Sequence, residues 1–185
     1  MAWTWLAAVA DPVALGESLE AVSGPSMTLA RAALRALHPI DCPQRQQASK
    51  VFYDRWQQKP VILDSWFGLE ASMPRRDALE QVRQLLQHPR FDPLAPNSLR
   101  AVLGGFAANV PAFHALDGSG YRFMAEQIIA VDQRNPVTAS RMAKVFARWR
   151  SYGAERQSAM RSAISMLTAS ELSSNTAEVI SMLKA

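Results

Sequence analysis

The sequence predicts an all-α protein, an α–α superhelix of about ten helices arranged as an irregular armadillo- or HEAT-like solenoid. Three observations predict it. Apolar residues recur at helical spacing along nearly the whole chain. Pro, Gly, Asp and Asn interrupt that pattern at short intervals, as helix starts and stops do. Extended apolar/polar alternation is absent, and no Asn-Gly or Asp-Gly turn joins two β-branched runs.

The elements follow in order. The uncharged run 2–10 is too short to span a bilayer, which needs about 20 residues. No Lys or Arg precedes it and Asp11-Pro12 follows, so a first amphipathic helix is expected rather than a signal peptide. Asp11 caps the next helix, Pro12 opens it, and Leu15, Leu19 and Val22 form its stripe. Gly24-Pro25 stops it. Ser26 caps a third helix with Leu29, Ala33, Leu34 and Leu37 inward, ending at His38-Pro39. Asp41 begins a fourth, with Ala48, Val51, Phe52 and Trp56 facing the core. Lys59-Pro60 opens a fifth around Ile62, Leu63, Trp66, Phe67 and Leu69, stopped by Met73-Pro74.

Ala78, Val82, Leu85 and Leu86 carry the sixth, which ends before His88-Pro89. After a proline-rich loop, Asn97 is expected to cap a helix with Leu99, Val102, Leu103 and Phe106. Gly104-Gly105 within it suggests close helix packing or a kink. Ser119 is expected to cap Tyr121 to Val131. Asn135-Pro136 starts a helix expected to run to Trp149, with Gly153 as its stop. Helices over 154–168 and 175–184 complete the chain. No fixed repeat period and no linker is visible, so residues 1–185 read as a single helical domain.

Composition and motifs exclude much chemistry. The chain has 185 residues and 49% hydrophobic content, enough for a packed core and too much for a disordered chain. With one cysteine, Cys42, no internal disulfide can form. His38, His88 and His114 include no HxxxH pair, and neither an HExxH helix nor a P-loop is present. His38 and His88 each precede proline at a helix end, where imidazoles can meet free carbonyls. Gly118-Ser119-Gly120 does not form a nucleophile elbow. No catalytic residue and no metal ligand is assigned.

Charge is uneven. Residues 1–30 sum to −3, whereas residues 141–161 hold six basic side chains against Glu155. Arg141, Lys144 and Arg148 fall at i, i+3 and i+7, on one face of a helix. That face is either an ordinary solvated surface or the wall of a groove for an anionic partner or a peptide carboxylate. Arg100 is a second candidate, and the sequence alone does not place it in the same space. The net charge of +4 is small for a nucleic-acid binder. The charged fraction of 19%, below the usual ~25%, suggests that part of the surface is covered by another protein surface.

A set of local strings then falls together: Phe52-Tyr53-Asp54-Arg55-Trp56, Asp64-Ser65-Trp66-Phe67, Val82-Arg83-Gln84-Leu85-Leu86-Gln87-His88, Phe113-His114, Asp117-Gly118-Ser119-Gly120-Tyr121, Arg134-Asn135-Pro136, Ala139-Ser140-Arg141 and Met160-Arg161. With these the chain resembles the C-terminal helical domain of bacterial aminopeptidase N, of the M1 family of zinc metallopeptidases. The resemblance covers residues 24–185, and the first 23 more loosely. It implies an α–α superhelix that caps the active-site cavity of a peptidase and limits which peptides enter; the cytoplasmic location is expected from the N-terminal segment, which does not read as a signal peptide. Zinc and its ligands are implied for the parent's catalytic domain, the partner within the same polypeptide, and no cofactor for this chain. The chain alone is expected to be inactive. Peptides are the implied substrates, with no nucleic-acid or membrane partner. Arg100 and Arg141 match family arginines that look into the cavity. Val137 and Ser98 stand where the family often has Gln and a basic residue. A free-standing helical-repeat interaction module is the alternative reading.

Overall fold

A computed structural model describes residues 2–75 and 77–184, and among these every regular element is helical. In order they are α1 (Ala2–Ala8), α2 (Pro12–Ser23), α3 (Met27–Leu37), α4 (Pro43–Trp56), α5 (Pro60–Ala71), α6 (Ala78–Leu86) and α7 (Pro96–Leu99). A π-turn, Arg100–Gly104, runs from α7 into α8 (Gly105–Ala108). Then come α9 (Val110–Phe113), α10 (Ser119–Asp132), α11 (Pro136–Ala143), α12 (Ala154–Ala169) and α13 (Ser174–Lys184).

Helix starts are the best-determined feature of this sequence. Pro12, Pro43, Pro60, Pro96 and Pro136 each open a helix, where the missing N–H costs no intrahelical bond. Asp11 Oδ1 accepts from the Ala14 N–H at 2.8 Å, and Asn135 Oδ1 from Thr138 N–H at 3.0 Å. Each such cap contributes about 1 kcal/mol. Ser26 Oγ accepts from Leu29 N–H at 3.3 Å.

Two expected caps are replaced. Asn97 lies inside α7, because Pro96 takes the first helical position and shifts the cap to Ala95. Ser119 is the first residue of α10, behind Gly118 at φ 69°. There the carboxylate of Asp117 accepts from both the N–H (3.0 Å) and the hydroxyl (2.7 Å) of Ser119. The helix expected to reach Trp149 stops as an α-helix at Ala143. Two 3-10 segments, Lys144–Phe146 and Trp149–Ser151, continue it. Leu29 is 46% exposed, and Ala30 occupies the buried position beside it.

Helices contact both their neighbours and the next but one. α2 packs on α3 and α4, α10 on α11 and α12, and α11 on α13. This is the pattern of an α–α superhelix. The apolar interior forms two clusters. The smaller holds Leu15, Val22, Leu34, Leu37, Phe52 and Leu69. The larger includes Phe67, Phe106, Tyr121, Phe123, Phe146 and Leu167. Its rings meet edge to face, with Phe106–Phe123 centroids 5.3 Å apart and Phe113–Tyr121 5.2 Å apart. Helix α5 serves both, giving Phe67 to one and Leu69 to the other.

Candidate functional site

Arg100 owes its position to a crowded crossing. Gly105 lies against α5 so closely that a Cβ there would stand 2.8 Å from the Gly68 carbonyl oxygen and 3.0 Å from Ala71 Cβ. Ser98 Oγ donates to Asp64 Oδ1 at 2.7 Å, tying α7 to the same helix. Leu99, Val102 and Leu103 are buried, so Arg100 is left on the outer side. Its guanidinium donates to Asn97 Oδ1. Arg141 comes from α11, where Thr138, Ala139 and Ala143 turn inward and Arg141 is exposed.

The structure brings these two arginines together. Arg100, Leu103 and Gly104 from the π-turn, Thr138, Arg141, Met142 and Val145 from the α11 segment, Met124 of α10 and Pro96 line a cleft of about 210 Å³. No carboxylate lines it, and among the described residues neither arginine is ion-paired. Two permanently charged guanidinium forks beside methionine, leucine and valine suit a ligand with a carboxylate or carbonyl on an apolar body. Lys144 and Arg148, expected on the same face, do not line it. The switch to 3-10 winding after Ala143 breaks the spacing that aligned them.

The histidines serve packing. His38 is buried with Nε2 3.4 Å from Ser72 Oγ. Burial, reinforced by Arg45 and Arg35, lowers its pKa from 6.5 to about 4. His88 packs among Tyr53, Trp66 and Phe67, and its Nδ1 accepts the Arg90 N–H at 3.1 Å. Neither imidazole therefore meets the helix-end carbonyls expected from the sequence. His114 lies between two phenols, 2.7 Å from Tyr121 OH and 3.2 Å from Tyr152 OH. Among the described residues no three His, Cys, Asp or Glu side chains come together as a metal cluster.

Elsewhere, Glu70 is almost fully buried beside Arg45 in a concavity of about 320 Å³. Trp66 Nε1 donates to Ser49 Oγ at 2.9 Å, and Ser49 donates to Glu70 at 2.5 Å. Burial raises the Glu70 pKa against the pull of that hydrogen bond and of Arg45. Sequence reading missed this group, since only tertiary packing buries it.

The family described as "Domain of unknown function (DUF3458_C) ARM repeats" matches residues 1–185. The chain is 42% identical to aminopeptidase N of Escherichia coli strain K12 over 143 residues, 77% of this chain and 16% of that one. It is 41% identical to aminopeptidase N of Caulobacter vibrioides over 139 residues, 74% of this chain and 16% of that one. The chain thus spans about one sixth of these relatives. Among solved structures, Legionella pneumophila aminopeptidase A, in complex with aspartic acid, superposes with a TM-score of 0.91 at 28% identity. That match covers 98% of this chain and 22% of the Legionella chain. The chain therefore belongs to this ARM-repeat family and corresponds to the C-terminal domain of aminopeptidase N.

Proposed function

We propose that residues 1–185 are a single accessory domain of a zinc-dependent aminopeptidase that removes N-terminal amino acids from peptides. In this reading the chain caps the active-site cavity and limits which peptides enter. Zinc and the bond-breaking groups belong to a catalytic domain of the same polypeptide in the cytoplasm. Neither a membrane nor a nucleic acid is a partner. No helix among the described residues is long and apolar enough to cross a membrane.

One observation carries the role of the site. Arg100 and Arg141 lie on separate helical segments, yet they line one cleft without a carboxylate. Their function is to hold the downstream end of a bound peptide, whose terminal carboxylate or carbonyls accept charge-assisted hydrogen bonds. The apolar wall excludes water and strengthens those bonds.

In the full-length enzyme, Arg141→Ala should raise KM for tripeptides roughly tenfold to a hundredfold, the loss of one or two charge-assisted bonds. Turnover of single-residue chromogenic amides, which lack a downstream end, should change little. Equal effects on both substrates would remove Arg141 from peptide binding. The accessory role has its own check. The 185-residue chain with added zinc should not hydrolyse aminoacyl-chromogenic amides, and chelator-sensitive hydrolysis would overturn it.

A further inference from the structure

Arg100 borders a second concavity besides the cleft. A groove of about 630 Å³ runs between α3, α5 and the π-turn, lined on one side by Arg31 and Arg35 and on the other by Asn97, Arg100, Ala101 and Gly105. Its volume lies in the range of about 300–1,000 Å³ typical of ligand sites. Arg100 lines both, with Arg141 in the cleft and Arg31 and Arg35 in the groove.

The charge arrangement in the groove is locally unfavourable. Arg31 and Arg35 are both exposed at i and i+4 of α3, a like-charge spacing that destabilises a helix. Among the described residues no carboxylate pairs with either. Among the described residues the groove's only acidic lining residue is Asp64, whose carboxylate already accepts the Ser98 hydroxyl at 2.7 Å. Arg45, Lys50 and Arg75, elsewhere in the chain, each hold an Asp within 3.1 Å. Among the described residues, Arg31, Arg35 and Arg100 at the groove have no such partner.

We propose that this groove continues the cleft for longer peptides and selects those with Asp or Glu side chains downstream. This rests on the peptide-binding reading of the cleft. A short peptide ends at Arg141 and Arg100. A longer one passes Arg100 and lays its following residues along Arg35 and Arg31. Neutral chains can follow the same route, but acidic ones gain the pairs that α3 lacks. The contacts are solvent-exposed, so the preference is moderate and falls with added salt.

The test is competition against a chromogenic amide substrate of the full-length enzyme by Ala-Ala-Glu-Glu-Glu, Ala-Ala-Gln-Gln-Gln and Ala-Ala-Lys-Lys-Lys, read as inhibition constants at low and high salt. The Glu peptide should bind about fivefold to tenfold more tightly than the Gln peptide at low salt, the gain of a few exposed ion pairs. The Lys peptide should bind least tightly. The double variant R31A/R35A should lose that ratio and keep its affinity for the Gln peptide. R141A should weaken the Glu and Gln peptides alike. Equal binding of all three peptides, or an unchanged ratio in R31A/R35A, overturns the groove. An R141A variant with wild-type affinity for the Gln peptide overturns the cleft while the Glu preference can still stand. Absence of binding by every peptide overturns both. Because Arg31 and Arg35 are exposed and repel each other, the double variant should melt at or slightly above the wild-type temperature, and a far-ultraviolet melt verifies this.

Discussion

Two glycines mark where backbones meet. At Gly105 a methyl group would press on the Gly68 carbonyl. At Gly120 a Cβ would lie 2.6 Å from the Phe113 oxygen and 2.7 Å from that of Ala112. Both obstacles are main chain and cannot swing away. Gly105→Ala should destabilise by about 1–3 kcal/mol, and Gly120→Ala by at least as much, in urea unfolding. His38 carries a pH dependence. Its folded pKa of about 4 lies below the ordinary 6.5, so the unfolded chain binds the proton more readily. Stability from this residue is complete above pH 6.5 and is lost as pH falls toward 4, on the order of 3 kcal/mol in all. Glu70, raised in pKa by burial, acts in the opposite sense: its protonated form is favoured in the fold. His38→Gln should flatten the fall in melting temperature between pH 6.5 and 4, and an unchanged slope would assign that fall elsewhere.

At the scale of elements, a buried carboxylate organises the final helix. Asp132 at the end of α10 accepts from the Ser173 N–H (2.6 Å), the Ser173 hydroxyl (2.6 Å) and the Thr176 hydroxyl (2.5 Å). Burial opposes its charge, but these bonds outweigh burial and hold the pKa below the usual carboxylate range. Trp149 Nε1 fixes the other end of α13 through the Leu183 carbonyl at 2.9 Å. Asp132→Ala should therefore cost about 2–3 kcal/mol and raise amide exchange in α13 before it does so in α10. The sequence shows where such helices begin, because proline and an Asx side chain act within one turn. It does not show Asp132 capping a helix forty residues on. Nor does it show Asn97 displaced by Pro96, since two neighbouring start signals compete for one position. The arginines were readable as basic side chains. Their convergence was not, because it depends on how α5 crosses the π-turn and how α10 packs on α11.

Across the whole molecule, stability is unevenly spread. The smaller cluster draws on α1 to α5 and is rich in alanine, whereas the larger holds most of the buried rings. Native-state hydrogen exchange should find α2–α4 opening at lower free energy than α10 and α12. Phe52→Ala should lower protection in α2–α4 more than in α10. Phe67→Ala should lower it throughout, since α5 belongs to both clusters.

The π-turn at Arg100–Gly104 also has a consequence for how the molecule can change. A π-turn holds one residue more than the α-helical turn it replaces, and one residue of α-helix is about 100° of rotation. The turn takes up that rotation locally, so the segments on either side keep their faces. Deleting Ala101 would remove the extra residue and leave a regular α-helix whose faces before and after the turn keep their directions. The turn is thus the place in this segment where the loss of one codon leaves Arg100 facing the cleft.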